Sequence, residues 1–365
     1  MVMGIESREW IVQFVLSDII RLDILFRNLI VVLLIASSSL RIAEANSLIG
    51  PENVAVVVNQ SDPQSVEVGN YYIRARNIPP ENLVNVTLPK GEPKLSLPVF
   101  TKMKEQVINS LDSKIQVIVM VWTTPYAVEC NSITSAMTMG FDPDQCSNLC
   151  GVGKQSPYFD SPSNRPLKDY GMRLSMLLPI ESVDKAKALI DRGVLSSFKL
   201  NEASAYFVKT SDKTRSAPRE AFYPKVEKKI PSKMIDLIPV EADSIADKHD
   251  IMFYLTGTVN VPNLDTLTFL PGALADHLTS AGGDLMGTGQ MTVLKWLDAG
   301  ATASYGTVTE PCNYWQKFPN PLVLLTHYLS GETAIEAYWK SVAWPAQGLF
   351  VGEPLAAPYQ PRGFR

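Results

Sequence analysis

Short apolar runs recur along the chain, separated by stretches with helical spacing. Residues 53–58 carry a valine-rich run, the pattern of a strand buried on both faces. Asn59-Gln60-Ser61-Asp62-Pro63 breaks it, and 65–77 then sets Val68, Tyr71, Tyr72 and Ala75 on one helical side until Pro79-Pro80 ends the helix. Residues 83–86 and 117–122 predict two further strands around a helix over 98–111. Between 123 and 167 the pattern dissolves into Gly, Pro, Ser and Asn. A loop of that length in a compact domain is usually functional or stapled.

Regularity resumes with a strand over 172–178, a helix over 183–191 and a short strand over 205–208. The charged segment 209–233 predicts a surface connection. Strands follow at 234–239, 251–255 and 267–270, a helix at 290–299, a strand at 301–308, and helices at 321–329 and 334–342. No internal repeat is visible. Eight or nine strands with interleaved helices predict an α/β chain with a three-layer, mostly parallel sheet. The sheet is either continuous or split into halves, 46–208 and 234–365, joined through 209–233.

Composition narrows this little. The 365 residues are 46% hydrophobic and 19% charged, which suits one large domain or two smaller ones and is not a disordered composition. The net charge of −4 comes from mixed acids and bases, and no basic stripe offers a nucleic-acid surface. At the N-terminus Arg21 and Arg27 precede an apolar run over 29–36, and Ala43-Glu44-Ala45 supplies a small-x-small cleavage pattern. The run is shorter than the roughly 20 residues a spanning helix needs. The expectation is a signal peptide over 1–45, export to the periplasm or beyond, and no stable membrane span after cleavage; the alternative is an uncleaved signal anchor.

Export gives the four cysteines a reading. Cys130, Cys146 and Cys150 cluster while Cys312 stands apart, and in an oxidising compartment a disulfide within the cluster is expected. The alternative is zinc on Cys146-x3-Cys150 with Cys130 and one His. Four cysteines allow three pairings, and the sequence does not choose among them.

The segments 53–80 and 253–359 resemble an uncharacterised family of exported bacterial proteins, known mainly from genomes that encode the exosortase protein-sorting system. The matching residues are Val57-Val58-Asn59, Tyr71-Tyr72, Arg76-Asn77-Ile78-Pro79, the 272–283 segment, Trp296-Leu297-Asp298-Ala299-Gly300-Ala301, Glu310-Pro311-Cys312 and Gly352-Glu353-Pro354-Leu355-Ala356. That resemblance implies a compartment and not an activity. The chain also resembles the caspase-like sheet of gingipain-type cysteine peptidases, where one strand ends in His-Gly, the next in the nucleophilic Cys, and a Gly-Asp-Pro turn closes the domain. Tyr254-Leu255-Thr256-Gly257 stands where the first is expected, Leu270-Pro271-Gly272-Ala273 where the second is, and Gly352-Glu353-Pro354 resembles the closing turn. Both catalytic positions depart from the pattern, so the likeness implies architecture, caspase-like or doubly wound, without a mechanism.

Candidate chemistry gathers in two turns expected after strands, 272–283 and 307–313. A thiolate needs an imidazole to take its proton and a third group to orient that imidazole. Cys312, His277 and Glu310 fit those roles, whereas Asp276, adjacent to His277, would point away from it. The alternative is that Asp276 and Ser280 cap helices, His277 bonds backbone, and Cys312 is packed or disulfide-bonded. A second candidate is a ligand pocket around Asp276, Ser280, Gly282, Gly283, Gln290 and Asn313. There Gly287-Thr288-Gly289 would open a helix whose free N–H groups hold an anion. Tyr314, Trp315, Lys317, Tyr338, Trp339, Lys340 and Trp344 could line a groove, although Ile335, Tyr338, Trp339 and Val342 have core spacing. No cofactor or metal is called for. The reading is an exported binding or scaffold protein on a degenerate caspase-like peptidase fold, with an envelope protein or polysaccharide as partner. The alternatives are a cysteine-dependent hydrolase or transferase using Cys312 and His277, and a disulfide-stapled assembly factor.

Overall fold

The valine-rich run becomes strand β1 (Val54–Asn59), buried along its whole length. A computed structural model describes residues 48–197 and 201–360, so the expected signal peptide lies outside the described residues. Helix α1 (Pro63–Arg76) follows, with Asp62 as its N-cap and Asn77 in the left-handed conformation at its C-cap. Next come β2 (Leu83–Val86), β3 (Lys94–Leu95), α2 (Leu97–Asn109) and β4 (Val117–Val121). The segment expected as a long loop holds β5 (Ala127–Val128), β6 (Asn131–Ser132), α3 (Ile133–Met139), α4 (Pro143–Ser147) and α5 (Pro166–Tyr170). Then follow β7 (Leu174–Leu178), α6 (Val183–Ser196), β8 (Ala203–Lys209), α7 (Lys213–Glu220), β9 (Lys228–Ile230), β10 (Ile235–Glu241), β11 (Ile251–Gly257) and β12 (Phe269–Leu278). The chain closes with α8 (Leu294–Ala299), β13 (Ala303–Thr307), α9 (Pro321–Ser330), α10 (Ala334–Ser341) and β14 (Gly348–Gly352).

Eleven strands form one sheet in the order β2-β1-β4-β7-β14-β13-β12-β11-β8-β10-β9, and β3, β5 and β6 make a small second sheet. Alternate residues of β1 serve opposite faces. Val54, Val56 and Val58 pack with Val68 and Tyr72 of α1 and Ile190 of α6. Val57 packs on the other face with Phe100, Met103 and Val107 of α2. The result is the expected three-layer α/β arrangement, with two more strands in the main sheet than the nine read at most from the pattern.

The sheet consists of two parallel blocks that run in opposite directions. From β2 to β14 all pairings are parallel, from β13 to β10 they are parallel again, and only β13–β14 and the edge pair β9–β10 are antiparallel. Each block begins with the same order. In the first, chain-order strands lie second-first-third-fourth as β2-β1-β4-β7, and in the second as β10-β8-β11-β12. The local chemistry repeats too. The Asn59 N–H donates to Ser65 Oγ at 2.8 Å, and the Thr210 N–H donates to Ser216 Oγ at 3.0 Å, six residues on in each case. Asp62 and Asp212 cap the two helices concerned. The chain therefore contains a topological repeat that its residues do not spell out.

Two local expectations are corrected. The segment 272–283 is not a turn after a strand ending at 270, because β12 continues to Leu278. Gly272, at φ +93°, absorbs a bulge, and the pairing with β11 slips from Ile251–Phe269 to Phe253–Leu274. The segment 209–233 is not merely a surface connection either, since α7 buries Arg219 in the core. β8 lies between β10 and β11, so the second parallel block includes β8.

Candidate functional site

The two segments expected to carry chemistry do meet, because β12 and β13 are parallel neighbours ending on one edge. The Gly283 N–H donates to Thr307 O and the Glu310 N–H to Ser280 O, each at 2.8 Å. The candidate catalytic dyad is not formed there, and the alternative of a disulfide-bonded Cys312 and a backbone-bonded His277 is. Cys312 is bonded to Cys150, and no cysteine is free. The expected bond within the cluster is Cys130–Cys146, so Cys312 does not stand alone and the zinc alternative loses its thiolates.

His277 is held as a structural group. It lies on a strand instead of in a turn, with its ring fully buried. The Trp296 indole N–H donates to Nδ1 at 2.9 Å, so the ring proton sits on Nε2 and faces Met291 O at 3.1 Å. Burial pushes its pKa down to about 3, and the nearby guanidinium groups of Arg219 and Arg215 push the same way. A ring whose lone pair already accepts from Trp296 has none left to take a thiol proton.

Asp276, the preceding residue, points to the opposite face and meets Arg219 Nη1 at 2.5 Å. Arg219 also donates to Thr256 O and Pro319 O. Burial raises the Asp276 carboxyl against the pull of Arg219. Glu310 does not orient an imidazole. Its carboxylate accepts from the N–H groups of Cys312 and Asn313, fixing the turn that presents the disulfide, and it pairs with buried Lys317 at 3.6 Å. Burial raises the Glu310 carboxyl and lowers the Lys317 ammonium. Lys317 Nζ donates to Leu149 O at 2.5 Å, tying the cysteine-containing insertion to the same edge.

The expected ligand pocket is occupied by the protein itself. Gln290 Oε1 accepts from Thr279 Oγ1 and from the Ala281 N–H, both at 2.8 Å. Ser280 O is taken by Glu310 and Thr307, and Gly283 lies against the backbone of Gly306. Helix α8 starts at Leu294, so Gly287-Thr288-Gly289 does not open a helix and offers no anion site. Asn313 stands at φ +56° in the turn that Glu310 holds. Among the aromatic residues, Tyr338 and Trp339 are core, with Trp339 stacked on Phe350 at 4.2 Å. Tyr314 packs edge-on to Trp344, and Trp315 packs on Phe159 and Phe222.

The strand ends to which the family pattern assigns catalysis are now located. β11 ends at Thr256-Gly257, as expected, whereas β12 ends at Leu278 and leads into Thr279-Ser280 rather than stopping near Gly272. Neither end carries Cys, and His277, next to the end of β12, is the buried ring held by Trp296 and Met291. The closing-turn residue Glu353 is buried between α1 and α6, where it accepts from Arg76 Nε at 2.9 Å and from the Tyr72 hydroxyl at 2.8 Å. Three strings behind the resemblance, Tyr71-Tyr72, Arg76-Asn77 and Gly352-Glu353-Pro354, thus converge on one internal clamp.

No protein-family model matches the chain, and no curated protein matches it in sequence. Among solved structures it is similar to a protease, with TM-score 0.49 and 10% identity over 85% of this chain and 79% of that one. It is also similar to the Arg-specific cysteine proteinase gingipain R, with TM-score 0.43 and 8% identity over 86% and 80%. A third is a complex of pro- and mature gingipain domains from Porphyromonas gingivalis, with TM-score 0.42 and 10% identity over 84% and 79%. These likenesses concern architecture, a large central sheet flanked by helices, and bring no activity with them.

Proposed function

We propose that this chain is an exported, disulfide-stapled binding protein on a peptidase-like α/β sheet, and that it performs no thiol chemistry. The observation that carries the reading is the state of Cys312. Its sulfur is bonded to Cys150, and the turn that presents it is held by Glu310. Two disulfides suit an oxidising compartment. Among the described residues no helix is long and apolar enough to cross a membrane. The envelope setting implied by the resemblance to exported, exosortase-associated proteins belongs to this reading.

A thiol-reactive probe tests it. Native protein purified without reductant is expected to take up no label, and denatured, reduced protein to take up label at four cysteines. Rapid labelling of Cys312 in the native protein would restore the hydrolase reading and remove this one.

A further inference from the structure

In an open α/β sheet a ligand binds outside the carboxyl ends of the strands, in the crevice where successive crossovers leave to opposite sides. The repeated strand order gives this chain two such crevices, between β1 and β4 and between β8 and β11. The second is closed by the protein itself. Thr210 Oγ1 donates to Gly257 O at 2.6 Å, and the backbone oxygen of Arg215 lies where a side chain on Gly257 would stand. The first is open. A cavity of about 350 Å³ lies there, lined by Asn59, Asp62, Lys90, Thr123, Thr124 and Ile180 from the ends of β1, β4 and β7 and the loop after β2. Its volume lies in the range of small-molecule sites.

The floor is rigid. The Asn59 side chain accepts from the Leu88 N–H at 3.0 Å and donates to Leu88 O at 3.2 Å, and Thr123 Oγ1 accepts from the Ile180 N–H at 2.8 Å. Thr123 still has its own hydroxyl proton to donate, as does any threonine in that role. At the rim Lys90 Nζ meets Asp62 Oδ1 at 3.0 Å, with the side chains 61% and 17% exposed. The Gln64 N–H also goes to Oδ1, so Oδ2 is left for a ligand. An ion pair this exposed contributes about 0–1 kcal/mol, so a ligand carrying both charges displaces it at little cost.

Building on the binding reading above, we propose that the β1/β4 crevice binds a small zwitterion, a free amino acid or a short peptide. Asp62 takes its ammonium, Lys90 and the threonine hydroxyls take its carboxylate, and Ile180 forms the apolar wall. One cation and one anion side by side favour neither a simple anion nor a simple cation. Among the described residues no aromatic ring lines the cavity to stack a sugar or a base.

The test is calorimetric titration of the oxidised full chain with L-leucine and with L-alanyl-L-alanine, beside N-acetyl-L-leucine, L-leucine amide and glucose. Saturable binding of the two zwitterions is expected, lost when either end is capped. Asp62→Asn, which keeps the helix cap, and Lys90→Met should each weaken it about tenfold or more, the loss expected for a charge-assisted hydrogen bond. An unchanged circular dichroism spectrum and melting temperature will show that the variants fold. No saturation by about 10 mM, equal binding of a capped compound or of glucose, or unaltered affinity in both variants would overturn the proposal. A free thiol at Cys312 would overturn the preceding section without changing this titration, and a failed titration leaves the thiol result standing.

Discussion

At the scale of single residues, the positions that look most chemical in the sequence prove to be internal fasteners. Glu353 shows this best. It is fully buried, and among the described residues its cationic partner is Arg76, at 2.5 Å from Oε2. Removing one partner of a buried pair leaves an uncompensated charge, so Glu353→Ala is expected to destabilise the protein by roughly 3–5 kcal/mol in urea titration. Gly193 is part of the same clamp, because a Cβ there would occupy the place of the Glu353 carboxylate. Gly193→Ala should therefore destabilise although it adds a better helix former to α6. An unchanged midpoint in Gly193→Ala would show that the carboxylate is free to move aside. Tyr72, Arg76 and Glu353 were all legible as unusual residues. Their convergence was not, since more than 270 positions separate Arg76 from Glu353.

At the scale of elements, the insertion between β4 and β7 is joined twice. Cys130–Cys146 spans 16 positions within the insertion, and Cys150–Cys312 spans 162 and fixes it to the edge where β12 and β13 end. On a chain-entropy argument the longer closure restricts the unfolded chain more. Replacing Cys150 and Cys312 by Ser should cost about 5 kcal/mol, and replacing Cys130 and Cys146 about 3 kcal/mol, by chemical denaturation under non-reducing conditions. The reverse ranking would mean that the Cys150–Cys312 link constrains little beyond what Lys317 and Glu310 already hold. The sequence pointed to a stapled segment from its lack of periodicity. It did not show the distant partner, because pairing depends on which edges the strands bring together.

At the scale of the whole molecule, two buried groups set opposing pH responses. His277 has a folded pKa of about 3 against 6.5 for the free ring, so its contribution is present above pH 6.5 and is lost as the pH falls toward 3. Glu336 is pushed up to about 7 by burial from an ordinary 4.5, so its contribution is present below pH 4.5 and is lost as the pH rises through 7. Between 4.5 and 6.5 the two slopes offset. Glu336→Gln keeps an acceptor for Thr333 and removes the titration. Relative to the parent, the variant should lose roughly 3 kcal/mol between pH 7 and 4.5, read from unfolding midpoints, because the parent alone gains there as Glu336 takes up its proton. Parallel pH curves for the two proteins would show that Glu336 titrates normally.

By itself, the sequence determined the α/β class, the mostly parallel sheet and nearly every strand of the main sheet before residue 260. Those follow from periodicity and residue identity, which are local. Only tertiary structure decided the run of β12 past Gly272, because a bulge lets an interrupted apolar pattern remain one strand when a neighbouring strand supplies the pairing. It also decided the fate of His277 and Cys312. The sequence left open whether His277 serves a thiol or bonds backbone until Trp296 and Met291 close around it, and whether Cys312 is reactive or bonded until a residue 162 positions away meets it. The repeated second-first-third-fourth strand order lies in topology alone, which residues of unrelated identity satisfy equally well as long as each buries its face.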